Sequence, residues 1–320
     1  MFESLFMLIL LCNHAESPYA PVGRIHGVVV NGTRGNEPMG DVDVVLRAGR
    51  DGVLAPMTET RTDVYGKFVF DNLPLDASTI YLPGADRDGV HYPSERVQLD
   101  RGNRFAHVRI VAFEVVEAPS PLVAGQHDID INVRLGVMEV SETLVVSNTS
   151  GSTYVGEAVD DKRPVTLRLS IPPNFDRVTF GNEFYGRRFR IVDHQPVTDI
   201  PWPPGIRELK ISYRISMDTT RGLFRRTLDL PCSKATLRVR GENTDKISCN
   251  LAQARGDGEA IVFTSAAEQL AAGDVIELQI GTPPFPWMKL SRWGSVIALG
   301  GLALVTAAVL RRREGLTGPL

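Results

Sequence analysis

The feature that most constrains this chain is a run of eighteen residues without a charge near its C-terminal end, residues 293–310. At 1.5 Å per residue, an α-helix of that length is about 27 Å long, close to the thickness of the hydrocarbon layer of a bilayer. The run has no polar face, so it does not suit a helix at the surface of a soluble domain. We therefore expect one transmembrane helix over residues 293–310 and a tail over residues 311–320.

The residues around this span and at the N-terminus predict its orientation. Arg311, Arg312 and Arg313 follow the span directly and favour the cytoplasmic side. The apolar run at residues 5–11 is typical of the core of a secretory signal, although no basic residues precede it, and we assign a signal segment to residues 1–16. We therefore expect a single-pass protein of the cell membrane. Its head lies outside the cytoplasm and its C-terminus inside.

Between the two ends, apolar and polar residues alternate with the period of two residues that is typical of β-strands. Residues 41–46 place Val42, Val44 and Leu46 on one face, and further short runs of this kind are separated by turn residues. Short strands at this spacing predict an all-β chain made of antiparallel sandwiches.

A proline-containing stretch at residues 117–124 divides these strands into two groups. We expect two consecutive Greek-key or immunoglobulin-like sandwiches, over residues 22–117 and 124–282. In the second, residues 128–133 alternate between polar and apolar side chains, and two of the polar ones, Asp128 and Asp130, are acidic. We interpret the acidic side as the solvated face of an amphipathic strand, with a cation site as the alternative.

Residues 62–66 separate two of the predicted strands and read as a tight turn. The carboxylate of Asp63 is expected to accept hydrogen bonds from backbone amides. Gly66 is expected at positive φ, which glycine adopts without a steric penalty.

Three stretches of the first predicted sandwich resemble the carboxypeptidase regulatory-like domain, a transthyretin-like Greek-key sandwich of seven strands. They are residues 23–30 (GRIHGVVV), 38–46 (PMGDVDVVL) and 62–74 (TDVYGKFVFDNLP). The resemblance covers residues 22–117 and implies a fold without chemistry of its own, in a single-span protein of the bacterial envelope. It also implies that Gly66 and the phenylalanines of the third stretch are structural.

Composition and motifs argue against two large classes of function. The net charge of −3 lacks the basic excess of nucleic-acid-binding proteins. The histidines lack the spacing of zinc peptidases, and no nucleophile elbow, phosphate-binding loop or dinucleotide fingerprint occurs. We therefore predict no catalytic, cofactor-binding or metal-binding residue, and no enzymatic activity.

Two features are candidates for binding. A long polar and aromatic segment, residues 81–92, resembles the loops that carry function on rigid scaffolds. Its candidate residues are Asp86, Asp88, His91 and Tyr92. Trp202 lies among prolines and is a candidate recognition surface. The alternatives are a fixed strand connection for the segment and a plug at the end of the second sandwich for Trp202.

A group of arginines is a candidate patch for an anionic partner or a polysaccharide. Its members are Arg187, Arg188, Arg190, Arg225 and Arg226. The alternative is that they are ordinary arginines on exposed strand faces.

Two cysteines, Cys232 and Cys249, remain once the signal segment is set aside. They lie beside two predicted strands, residues 234–240 and 246–251, that a hairpin would bring together. An oxidising compartment favours a disulfide between them, and two independent buried thiols are the alternative.

Together these features predict a non-enzymatic, membrane-anchored interaction or scaffold protein that binds another envelope protein or a membrane complex. Carbohydrate recognition is the first alternative, and it requires solvent-facing aromatic rings in a shallow groove. A hydrolase with a dispersed site is the second, and it requires a concave site with perturbed titratable groups.

Overall fold

The computed structural model describes residues 22–158, 163–181, 189–241, 246–257, 260–266 and 269–281. Within these ranges the chain is built almost entirely of β-strands, and the only helix is one short turn, α1 (Met217–Thr220). The predicted all-β, sandwich-like fold is therefore confirmed. The predicted signal segment, membrane span and tail lie outside the described residues. Nowhere in the described ranges is there a helix that is both long and apolar enough to cross a membrane.

Nine strands form the first sandwich, and they make two sheets. They are β1 (Gly23–Asn31), β2 (Glu37–Pro38), β3 (Asp43–Arg50), β4 (Val53–Arg61), β5 (Lys67–Leu73), β6 (Ile80–Arg87), β7 (Val90–Pro93), β8 (Val97–Gln98) and β9 (Phe105–Ala112). In one sheet β1 pairs with β2, β5 and β9, and in the other the order is β4-β3-β6-β7, with β8 beside β6. The β1–β9 pairing is parallel.

The alternation read from the sequence determines which side chains fill this sandwich. Val42, Val44 and Leu46 are buried, as are Phe68 and Phe70, whose rings meet edge to face 5.7 Å apart. Aromatic pairs with this geometry stabilise a core beyond the area that they bury.

The turn before β5 has the predicted geometry. The Asp63 carboxylate accepts hydrogen bonds from the amides of Tyr65 at 2.9 Å and Lys67 at 2.8 Å. Gly66 has a φ of 72°, and a Cβ there would lie 2.6 Å from the carbonyl oxygen of Val29. The position therefore requires glycine for its backbone angle and for the close approach of β1.

The two sandwiches are joined by hydrogen bonds around the predicted linker. A short strand after the first sandwich, β10 (Val115–Val116), pairs in parallel with β13 (Thr153–Tyr154). Tyr92 of the first sandwich lies with its hydroxyl 2.9 Å from that of Thr153. The connection between the sandwiches is therefore more than a single covalent linker.

The second sandwich consists of one large sheet facing two small ones. The large sheet contains β11 (Leu122–Arg134), β12 (Val137–Asn148), β15 (Phe175–Phe180), β18 (Gly205–Ser216), β20 (Ala235–Gly241), β22 (Ala252–Asp257) and β23 (Ala260–Thr264). Its order is β15-β18-β12-β11-β20-β23-β22. The small sheets contain β14 (Leu167–Arg168), β16 (Phe189–Val192) and β17 (Gln195–Thr198), and β19 (Leu223–Thr227), β21 (Ile247–Cys249) and β24 (Val275–Ile280).

The large sheet has one apolar face and one polar face, because its long strands alternate over most of their length. On β11, Ile129, Ile131 and Val133 are buried in a core shared with both small sheets. Asp130 and Asn132 point to the other side and are partly exposed. This outer face carries the candidate site described below.

Candidate functional site

The predicted binding segment in the first sandwich is a regular hairpin. Asp86 is in β6 and His91 in β7, directly opposite each other, and His91 Nδ1 lies 2.7 Å from Asp86 Oδ1. Asp88 is in the turn, with a φ of 48°, and pairs with its neighbour Arg87 at 3.1 Å. The alternative of a fixed strand connection is therefore correct for this segment, because strand pairing uses most of it.

The two aromatic candidates are buried. Tyr92 is 3% exposed, and its hydroxyl donates to the carbonyl of Phe113 at 3.0 Å. Trp202 is 1% exposed, and its backbone pairs with that of Tyr154. The guanidinium of Arg207 lies 5.9 Å from the Trp202 ring. Neither candidate ring offers a recognition surface. For Trp202, the alternative of a plug within the second sandwich is correct.

Cys232 and Cys249 are free thiols in the structure. The predicted hairpin between their neighbouring strands does not form, because β20 pairs with β11 and β23 while β21 pairs with β24. The two strands therefore belong to different sheets. Burial raises the pKa of both thiols.

The predicted arginine patch does not form as one surface. Arg225 and Arg226 are consecutive residues of β19, so their side chains point to opposite sides. Arg225 is exposed and pairs with Glu277 at 2.7 Å, whereas Arg226 is fully buried. Arg190 donates to the carbonyl of Arg163 at 2.8 Å. Arg187 and Arg188 lie outside the described residues.

Arg226 belongs to a group of ionisable side chains inside the second sandwich, which we call the buried charge cluster. Its members are His127, Glu142, Tyr213, Arg226 and Asp229. Arg226 Nε donates to both oxygens of Glu142 at 3.0 Å, and its Nη2 donates to Asp229 Oδ2 at 2.9 Å. His127 Nε2 lies 2.7 Å from Glu142 Oε2, and the Tyr213 hydroxyl donates to Glu142 Oε1 at 2.5 Å.

These contacts determine the ionisation of the cluster. Burial alone would raise the pKa of Glu142. The positive charge of Arg226 and the hydrogen bonds from His127 and Tyr213 outweigh burial and lower that pKa to about 2. Burial and the nearby Glu142 charge raise the pKa of Tyr213 well above its usual value.

The cluster is sealed in the core, where it links the large sheet to a small one. His127, Glu142 and Tyr213 come from the large sheet, while Arg226 comes from a small sheet, so their hydrogen bonds cross the core. None of these four residues is more than 2% exposed. A reactant would have no access to them.

The large sheet carries an open depression on its outer face, with a volume of about 530 Å³. We call it the arginine trough. The side chains on this face that line it are Asp130, Asn132, Arg134, Glu139, Ser141, Arg177, Thr179, Ser212, Arg214, Arg238 and Arg240. Five of these are arginines and two are carboxylates, so the lining carries an excess of positive charge.

Strand register places the charges on both sides of the trough. Arg214 of β18 is opposite Glu139 of β12, Glu139 is opposite Asn132 of β11, and Asn132 is opposite Arg240 of β20. Three strand spacings separate the backbones of Arg214 and Arg240, or about 14 Å. The trough therefore has one bank of arginines at β15 and β18 and another at β11 and β20.

Small side chains in the next row create the depression between the banks. Ser212 and Ser141 are opposite each other on β18 and β12, with their hydroxyls 3.3 Å apart. Long side chains on either side project beyond these serines. Hydroxyl groups therefore line the trough floor at this row.

The acidic residues neutralise only part of the positive charge. Arg214 lies 3.9 Å from Glu139, and Arg238 lies 3.6 Å from Asp130. Three of the arginines form no ion pair with another described residue, and their side chains are exposed. They are Arg134, Arg177 and Arg240. Guanidinium groups of this kind bind carboxylates and phosphates through paired hydrogen bonds.

A metal centre with three or more protein ligands and an aromatic platform at the trough both lack support in the described part of the chain. No group of three or more His, Cys, Asp and Glu side chains is arranged to hold a metal ion there. The trough lining contains one aromatic residue, Tyr213, whose ring points into the core. The trough therefore offers charge and hydrogen bonds, without a stacking surface for sugars.

No protein-family model matches the sequence, and neither does any curated protein. Solved structures with some likeness include native yeast LTA4 hydrolase, at 10% identity over 52% of this chain and 30% of that one, with a TM-score of 0.33. Another is the M1 zinc metallopeptidase from Deinococcus radiodurans, at 13% identity over 51% of this chain and 43% of that one, with a TM-score of 0.32. The chain thus spans less than half of either. Likenesses this weak carry no argument about function.

Proposed function

We propose that this chain is a non-enzymatic binding protein of the cell envelope, and that its second sandwich holds an acidic segment of a partner protein in the arginine trough. The observation that carries the proposal is the excess of arginines along two banks of one exposed depression. An acidic segment would supply carboxylates to both banks while its backbone meets the hydroxyl groups of the floor.

The position of the protein in the cell is part of the same proposal. The uncharged run at residues 293–310 supports a single C-terminal span, and the N-terminal apolar run supports a head outside the cytoplasm. The resemblance of residues 22–117 to the carboxypeptidase regulatory-like domain supports a Greek-key sandwich that positions the second sandwich. Deleting everything from Trp293 onward is expected to release a soluble head. Recovery of that head only from the cytoplasm would contradict the topology.

The chemistry of the site favours a protein partner over a polysaccharide. The exposed aromatic rings among the described residues include Tyr65 and Phe105, both in the first sandwich and away from the trough. A hydrolase is not favoured either. The most strongly perturbed side chains, Glu142, Tyr213 and Arg226, are sealed in the core.

Photo-crosslinking from the trough floor tests this proposal. A photoreactive residue replaces Ser212 in the full chain, in membranes of the native host, and Ser248 on the exposed face of β21 is the control position. We expect a crosslinked protein from position 212 that is absent from position 248. Adding Arg214→Gln and Arg240→Gln should abolish it, because one arginine is lost from each bank.

Two results would overturn the proposal. One is the same set of crosslinked products from both positions. The other is a product from position 212 that persists at the same yield when both arginines are neutralised.

A further inference from the structure

Two histidines that are far apart in the sequence lie side by side on the first sandwich. His26 is in β1 and His107 in β9, and the two residues are direct partners in the parallel ladder. Both belong to the outer face of the sheet, because their neighbours Ile25 and Val108 are buried in the core. His26 is partly exposed and His107 is exposed. Their imidazole rings therefore project in the same direction from adjacent strands.

Neither imidazole has a hydrogen bond or an ion pair with another described residue. The histidines of two other sites differ in this respect, because His91 is bonded to Asp86 and His127 to Glu142. When a histidine is hydrogen-bonded to a carboxylate, one of its two ring nitrogens is already occupied. The rings of His26 and His107 keep both nitrogens available for an added ligand.

The strand spacing suits a shared metal ion. Adjacent strands are about 4.8 Å apart. Two nitrogens bound to one tetrahedral ion at about 2.05 Å each are roughly 3.3 Å apart. Small side-chain rotations that lean the two rings toward each other close this difference. A rigid sheet holds both ligands near that geometry before the ion arrives.

We propose that His26 and His107 form a surface site for a divalent transition metal ion of the class that prefers imidazole, such as Zn²⁺, Ni²⁺ or Cu²⁺. Two positions are filled by the histidines and the others by water. The site is independent of the arginine trough, which lies on the second sandwich.

The residues around His26 and His107 determine how tightly the site binds a metal ion. Val69 is the other neighbour of His26 across the sheet, and it supplies no ligand. Arg24, two residues before His26, is ion-paired with Asp71. Arg109, two residues after His107 on the exposed side, adds a positive charge that weakens cation binding. We therefore expect weaker binding than that of a closed structural site, which has four protein ligands.

Isothermal titration of the full chain in detergent with NiCl₂ and with ZnCl₂ tests the proposal. The variants are His26→Gln and His107→Gln, and His194→Gln, which changes an exposed histidine in a turn of the second sandwich, is the matched control. We expect one ion per chain for the parent protein. Either substitution in the pair should weaken binding at least tenfold, while the control binds as the parent does.

Electron paramagnetic resonance of bound Cu²⁺ supplies a second measurement, since two imidazole nitrogens give a characteristic splitting. Loss of that signal in either pair variant, with an unchanged melting temperature in the absence of metal, is the expected result. The proposal is overturned if the parent binds no ion below millimolar concentration, or if either pair variant binds as the parent does.

Discussion

Replacing Arg226 by methionine tests the role assigned to the buried charge cluster. Methionine keeps much of the length of the side chain and removes the guanidinium. Glu142 then loses two hydrogen bonds at 3.0 Å and Asp229 loses one at 2.9 Å. Both carboxylates stay buried, at 0% and 4% side-chain exposure.

The size of the destabilisation depends on the hydrogen bonds that the two carboxylates keep. Glu142 keeps its contacts with His127 and Tyr213, and Asp229 keeps the amide of Ser170 at 2.8 Å. Removing one partner of a buried ion pair usually costs about 3–5 kcal/mol. We expect a loss in this range, a large part of the roughly 5–15 kcal/mol that stabilises a typical domain.

Urea unfolding at pH 7 measures the loss, and Arg225→Met is the matched control. Arg225 is the preceding residue of β19, its side chain is 60% exposed, and it pairs with Glu277. Exposed pairs of this kind contribute at most about 1 kcal/mol. Replacing Glu142 as well, by leucine, should recover part of the loss from Arg226→Met, because one uncompensated charge is then gone.

A loss of stability from Arg226→Met that is no larger than the loss from Arg225→Met would contradict the role assigned to the cluster. A double variant that is no more stable than Arg226→Met alone would also contradict it.

Three further predictions follow from the structure. Folding lowers the pKa of Glu142 from 4.5 to about 2, so the contribution of this carboxylate to stability is complete above about pH 4.5 and is lost as the pH falls toward 2. Between pH 4.5 and pH 2, the free energy of unfolding measured in urea should therefore depend less steeply on pH in Glu142→Gln than in the parent protein. Gly66→Ala should lower the free energy of unfolding by about 1–3 kcal/mol more than Gly35→Ala does, as measured by thermal or urea unfolding. Both glycines have positive φ, but of the two only Gly66 faces a backbone oxygen within 3 Å, so equal losses of stability would contradict this prediction. Iodoacetamide should modify the half-buried Cys249 of the native protein before the fully buried Cys232, and a Cys232–Cys249 bond found by non-reducing peptide mapping would contradict the free thiols.

The parts of the fold that depend on neighbouring residues were predictable from the sequence. Alternation predicted the buried faces of the strands, since successive side chains of a strand point to opposite sides. The turn at Asp63 and Gly66 was predictable because its hydrogen bonds and backbone angle are set within five residues.

The parts that depend on pairing between distant strands were not predictable. The arginine trough requires β20 to lie beside β11 and β15 beside β18, and nothing in the local sequence specifies either pairing. The error about the cysteines has the same origin, because adjacent strands in the sequence were assumed to pair.

The buried charge cluster did leave a signal in the sequence. Glu142 occupies an inward position of β12 between Val140 and Leu144, and Tyr213 occupies the equivalent position of β18 between Ile211 and Ile215. A charged residue at an inward position requires a buried partner. The identity of that partner, Arg226, depended on packing between sheets and could not be inferred.

Binding of an acidic peptide to the trough is the most direct test of the proposed function. A fluorescent peptide with alternating glutamates is titrated with the full chain in detergent and followed by anisotropy, at low salt and at physiological salt. We predict saturable binding that weakens with salt. Arg214→Gln with Arg240→Gln should weaken it at least tenfold, while Arg225→Gln, on the far side of the sandwich, leaves it unchanged. Equal binding by all three proteins would contradict the account.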